Sequence, residues 1–310
     1  MNHPGKMPLC MYPSTIPCVD DEKAFLTHLA VELGLGQSRY LLRLRPPELL
    51  QMVNAQTSLP AINPATEIYN AQRFERVSVV VSDFQMPDMN GLQFCDRIQP
   101  RGIRKIIVSS KLPSQEALQA INEGQLRGFL NKKDEEVQSQ LQKLIDRSVV
   151  EYFCEVSGTF QEAGDKAKSA LQDPLFLRWF RTLCRQLQVQ EHYTVDAAGT
   201  FLLVTHKREV MGLYVRTHSQ LQQLARDAAG QGCPHAIVHS LEQAQCVLIP
   251  PDPAQQKLTQ DLSWWRCVHP VSHIVLEGRE RYYCAWGAGM FDVDNSKITS
   301  FYQYQEQHPD

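Results

Sequence analysis

The chain has 310 residues, 43% hydrophobic and 21% charged, with 31 Lys and Arg against 34 Asp and Glu. That length favours two cores over one, and a net charge of −3 supplies no basic field for nucleic acid or an anionic membrane. No apolar run approaches the ~20 residues of a membrane span.

The start, MNHPGKMPLCMYPS, lacks the apolar core of a secretory signal, and residues 1–14 read as a flexible tail. Nine cysteines without framework spacing read as reduced thiols, so the expected compartment is the cytoplasm. STIPCVDDEKAFLTHLAVEL then reads as a strand, a turn and a helix with Leu26, Leu29, Ala30 and Leu33 on one face. YLLRL is a second strand, and PPELLQMVNA a helix with proline in its first turn. Residues 56–76, with Pro60 and Pro64, form a long connection. VSVVVSD lacks polar alternation, as expected of a strand covered on both faces. GLQFCDRIQP is a helix, RKIIVSS a strand, SQEALQAINEG a helix between Ser114 and Gly124, and GFLNKKD a last short strand. Such alternation predicts a doubly wound parallel sheet of the α/β class.

From Val137 to Phe160 apolar residues recur at helical spacing, as one long helix or a pair broken at Gly158. Asp173 and Pro174 open a further helix. HYTVDAAGTFLLVTHKREVMGLYVRT then reads as consecutive antiparallel strands, SQLQQLARDAAGQG as a helix and HIVLEGRERYYCAWGAG as a hairpin. The expected organisation is a tail (1–14), an α/β domain (15–133) with an insertion near 56–76, a helical connector (134–190) and an α+β domain (191–310).

In a doubly wound sheet the carboxyl ends of the strands meet in one crevice. Four strand ends here carry polar residues: Asp20 with Asp21, Asp83, Ser109 and Lys132. Three carboxylates together repel one another unless a cation sits among them, and Mg²⁺ suits hard oxygen ligands. A lysine and a hydroxyl in the same crevice suit a phosphoryl group, which makes the strand-tip carboxylate Asp83 a phosphoryl acceptor. Other readings stand beside these. Asp20 serves equally as a helix cap, Ser109 competes with Ser110, and Phe129 serves as a core aromatic.

VDDE (19–22), SDFQMPDMNG (82–91), IIVSS (106–110) and NEGQLRGFLNKKD (122–134), in this order, resemble the receiver domain of bacterial two-component response regulators. The resemblance covers about residues 14–148. It implies a five-stranded flavodoxin-like sheet in which Asp83 takes a phosphoryl group from a histidine kinase, a phosphotransfer protein or a small acyl phosphate. By the same resemblance Asp20, Asp21, Asp83 and the backbone carbonyl of Gln85 hold Mg²⁺. Lys132 pairs with the phosphoryl oxygens, Ser109 hydrogen-bonds them, Phe129 is the coupled aromatic switch, and phosphorylation drives homodimerisation or frees an output surface. Three features depart from the family: Pro17 in a central strand, the long insertion, and Lys133 where many receivers have proline.

The second half carries no helix-turn-helix signature and no GGDEF-, EAL- or HD-GYP-type motif. Residues 191–310 hold 9 Lys and Arg against 13 Asp and Glu, whereas specific DNA binders present a basic face. YTVDAAGTFLLV resembles the opening hairpin of PAS-like sensory domains. Cys233, His235 and His239 could share metal-ligand spacing, but no acidic residue or second cysteine completes a close set, so the cluster reads as structural. The whole chain also resembles quorum-sensing-type response regulators, some linked to α-hydroxyketone signals. The expectation is an output domain that binds a protein or small ligand; the alternatives are a phosphorylation-regulated enzyme and a transcriptional regulator with an atypical DNA-binding domain.

Overall fold

The computed structural model describes the chain except residues 1–6, 23–24, 28, 30–37, 44, 59–61, 88, 101, 112, 159–169, 197, 250–263, 276–279, 292 and 309–310. Its strands in chain order begin with β1 (Cys10–Met11), β2 (Thr15–Val19), β3 (Arg39–Arg43), β4 (Val79–Asp83), β5 (Arg104–Ser109) and β6 (Gly128–Asn131). They continue with β7 (Val189–Asp196), β8 (Thr200–Thr205), β9 (Val210–Thr217), β10 (Cys246–Leu248), β11 (Val268–Pro270), β12 (His273–Val275) and β13 (Tyr282–Ala288). The helices are α1 (Pro46–Asn54), α2 (Pro64–Glu67), α3 (Gly91–Asp96), α4 (Gln115–Asn122), α5 (Val137–Val156), α6 (Pro174–Gln186), α7 (His218–Gly230), α8 (His235–Glu242), α9 (Trp264–Cys267) and α10 (Phe301–Gln307).

The chain divides into two compact units. One comprises residues 12–63, 70–158 and 299–310, the other 1–11, 64–69 and 159–298. The first is built on a parallel sheet of order β3-β2-β4-β5-β6, the flavodoxin-like arrangement. Its inner strands β2 and β4 are buried along their whole length, as strands covered on both faces are. Ile16, Cys18, Val79, Val81, Ile106 and Val108 pack with Leu26, Leu29 and three α5 residues, Val137, Leu141 and Ile145. The rest of the helix expected after Asp21, including Ala30 and Leu33, lies outside the described residues. Pro17 is accommodated by a slip in the ladder: Thr15 bridges Val77, but Cys18 pairs with Val81, so β4 carries one extra residue opposite the proline.

The far end of this unit holds residues from distant parts of the chain. Within the insertion, Arg73 is fully buried, its guanidinium over the Phe74 ring at 4.0 Å and donating to the Thr299 carbonyl at 2.6 Å. Phe74 packs against Phe301 (5.2 Å) and Tyr304 (5.3 Å) of α10, and Arg39 donates to the Tyr304 hydroxyl at 3.1 Å.

The second unit contains a six-stranded antiparallel sheet, β1-β7-β8-β9-β13-β12, and a separate β10-β11 pair. Phe176, Leu177, Phe180 and Leu183 of α6 cover one face over Phe201, Leu203, Leu213, Val215 and Tyr282. The segment grouped as a connector therefore divides: α5 belongs to the parallel core and α6 to the antiparallel one. Helix α5 ends at Val156, with Gly158 in the left-handed region at φ 79°. The expected tail is also corrected at residues 10–11, which form an edge strand pairing Cys10 with Tyr193 and Met11 with His192.

Candidate acidic site at the sheet edge

The strand register fixes the site. β4 ends at Asp83, opposite Val108 of β5, and β5 ends at Ser109, opposite Asn131 of β6. Two backbone bonds extend the ladder past the strand tips, Phe84 N–H to Val108 (3.1 Å) and Lys132 N–H to Ser109 (2.8 Å). Asp20 and Asp21 follow β2 directly. The turn after Asp83 closes through Gly91 N–H to the Phe84 carbonyl at 2.9 Å. A Cβ at Gly91 would run into the Asp83 backbone oxygen, which explains glycine there. Asn90 then caps α3 in a reciprocal pair with Gln93.

Asp20, Asp21 and Asp83 bring carboxylate oxygens within 4.8 Å of one another. Asp20 and Asp83 are buried and Asp21 is exposed. The Lys132 ammonium lies 2.7 Å from Asp20, 3.3 Å from Asp83 and 3.4 Å from Glu22, and 4.8 Å from the centre of the Phe25 ring. Burial pushes the Asp83 carboxyl above its usual range; the Lys132 charge pulls it back, and Asp20 adds to the rise. Asp20 is likewise raised by burial against its hydrogen bond from Lys132. For Lys132, burial opposes the charge, but Asp20, Asp83 and Glu22 outweigh it and hold the ammonium above its ordinary value. The site thus has more negative charge than its one lysine neutralises, and an all-oxygen donor set that fits a hard divalent cation.

Each predicted position has a definite place. Asp20 sits in the carboxylate cluster and also accepts the Glu22 N–H at 2.9 Å, so it is both a member of the cluster and a local cap. Ser109 is fully buried, its Oγ accepting the Lys111 N–H at 3.1 Å. Phe129 is half-buried, its ring 6.0 Å from that of Phe84. The Gln85 backbone N–H donates to the Asp83 carboxylate. Glu22 and Phe25, both touching Lys132, were missed by the sequence reading. The fourth letter of VDDE was a usable signal for Glu22; nothing local marked Phe25.

Residues 46–145 match the family model of the response regulator receiver domain. Nearly the whole chain, 97%, superposes on 96% of the Legionella pneumophila response regulator LqsR, with 28% identity and a TM-score of 0.82. A CheY-like receiver domain protein from Methanospirillum hungatei covers 46% of this chain and 98% of its own, at 19% identity and a TM-score of 0.35. No curated protein matches the sequence.

Proposed function

With a receiver domain as the premise, we propose that the chain is the response regulator of a two-component phosphorelay and that Asp83 is its phosphoryl acceptor. The observation that carries this is the meeting of Asp20, Asp21, Asp83 and Lys132 at one sheet edge. An Asp83 carboxylate oxygen attacks the phosphorus of a phosphohistidine or acyl phosphate. The bond from phosphorus to the leaving nitrogen or oxygen breaks, the leaving group keeps its electron pair, and an aspartyl phosphate results. Lys132 keeps Asp83 in its nucleophilic, ionised form beforehand. Afterwards it exchanges its contact with the carboxylate for one with the phosphoryl oxygens. Asp20 and Asp21, with Asp83 and the Gln85 carbonyl, would hold Mg²⁺, which supplies charge neutralisation at the transferring group. Ser109, at the neighbouring strand tip, hydrogen-bonds the phosphoryl group, and Phe129 follows its movement.

The donor is a histidine kinase or phosphotransfer protein in a bacterial cytoplasm. Among the described residues no helix is long and apolar enough to cross a membrane. The antiparallel unit acts as an output module that binds a protein or small ligand, with phosphorylation governing dimerisation or exposure of that module.

Intact-protein mass after incubation with acetyl phosphate and Mg²⁺ tests the acceptor. One phosphoryl adduct on the wild type and none on Asp83→Ala is expected. An adduct on both proteins would place the chemistry on another residue.

A further inference from the structure

Helix α8 presents two imidazoles and a carboxylate along one exposed stripe. His235 and His239 are one turn apart, with ring centroids 6.4 Å apart and planes 4° from parallel. Glu242 Oε2 lies 4.0 Å from His239 Nδ1. Positions i, i+4 and i+7 share a helix face, so the carboxylate that the sequence reading did not find comes from the next turn. The opposite face fixes the helix rotation: Ile237 and Leu241 are buried with Ala225, Ala228 and Leu248. Cys233 belongs to that buried cluster too, which leaves a donor set of two nitrogens and one oxygen without sulfur. The sequence of α8, HAIVHSLE, contains no Lys or Arg to occupy Glu242.

We propose that His235, His239 and Glu242 form a surface site for a borderline divalent metal ion of the Zn²⁺ class. Imidazole and carboxylate ligands sit at about 2.0–2.2 Å from zinc. The donors close on the ion by side-chain rotation; His239 and Glu242 have 61% and 49% of their side chains exposed, so no packed neighbour opposes it. Magnesium is not accommodated, because imidazole nitrogens are poor ligands for a hard cation that prefers oxygen. A second feature gives the ion something to do. The helix is only eight residues long and begins at Pro234 without any side-chain cap, and so short a helix is marginal by itself. A metal bridging its two turns holds it formed.

The test uses the full chain, stripped with EDTA and then titrated with Zn²⁺ by calorimetry in millimolar Mg²⁺, which occupies the carboxylate pocket of the receiver. One micromolar site per chain is expected, weakened at least about tenfold by His235→Gln or His239→Gln, a few-fold by Glu242→Gln, and unchanged by Asp83→Asn. Zn²⁺ should also raise the melting temperature of the wild type but not of His239→Gln. His235, His239 and Glu242 are all exposed, so substitutions there retain the fold. Absence of binding, equal affinity in wild type and His239→Gln, or displacement by Mg²⁺ would each overturn the proposal. None of these outcomes bears on the acceptor role of Asp83.

Discussion

The two units treat acidic groups in opposite ways. In the parallel unit Asp20, Asp21 and Asp83 are gathered around one ammonium group, and burial drives Asp20 and Asp83 above their ordinary carboxyl values. In the antiparallel unit Asp196 is answered on every side. Its Oδ1 accepts from the backbone of Ala198, Gly199 and Thr200, and its Oδ2 accepts from the Thr200 hydroxyl at 2.6 Å and from Arg216 at 3.1 Å. Burial would raise that carboxyl, but Arg216 and the Thr200 and Gly199 donors hold it below its usual value. Asp173 is similar, accepting the Leu175 N–H as a helix cap and the Tyr282 hydroxyl at 2.9 Å. A local network that satisfies its own charge is a fastening. A cluster left over-charged at a sheet edge is poised for a ligand.

This contrast can be strained experimentally, starting with the largest effect. Phe301→Ala removes a buried ring that lies far along the chain yet packs on Phe74. It should destabilise the parallel unit by about 3 kcal/mol, seen as faster amide exchange in residues 71–75 with exchange across β8 and β9 unchanged. Loss confined to the antiparallel strands would contradict the division into units.

Asp196→Asn keeps the turn-capping oxygen but removes the charge facing Arg216. A loss of about 1–2 kcal/mol is expected at pH 7. Because the folded pKa is depressed, the wild-type advantage exists above the unfolded value of 3.8 and is lost as pH falls through it toward the folded one. Melting curves of variant and wild type should therefore converge in acid.

The same substitution at Asp83 should act in the opposite sense. Asp83→Asn removes a charge whose burial, with repulsion from Asp20 added, outweighs the attraction of Lys132, and should stabilise the metal-free protein by roughly 1 kcal/mol. Here the folded pKa is raised, so the gain is present at neutral pH and fades as pH falls through that raised value, where the wild-type carboxyl is already protonated. A destabilised Asp83→Asn with no acid convergence would mean that the Lys132 contact outweighs the cost of burying the charge.

Much of the parallel unit could be read from its letters because its signals are local. Val79–Asp83 and Arg104–Ser109 are apolar runs ending on polar residues, and Ser114 and Asn90 are caps with side chains that do cap. The candidate positions Asp83 and Ser109 followed from those strand ends, and Asp20, Asp21 and Lys132 from the ends of β2 and β6. What escaped depends on distant partners. Cys10–Met11 becomes a strand only because β7 offers an edge, Arg73 is buried only because Thr299 returns to meet it, and Phe25 reaches Lys132 only through the fold. Apolar spacing also continues in the sequence to Phe160, past the end of α5 at Val156, because periodicity does not register the left-handed Gly158 that follows the helix.

The return of residues 299–310 to the parallel unit has a practical corollary. The stretch that carries the receiver signature, 46–145, omits Asp20 and Asp21 on the amino side and Phe301 and Tyr304 on the other. A fragment cut at those limits would lose two of three clustered acids and part of its hydrophobic interior. The shortest uninterrupted piece that spans the parallel unit runs from 12 to 310 and carries most of the other unit inside it. The parallel unit cannot be excised as one contiguous segment, because its residues lie on both sides of the other unit along the chain.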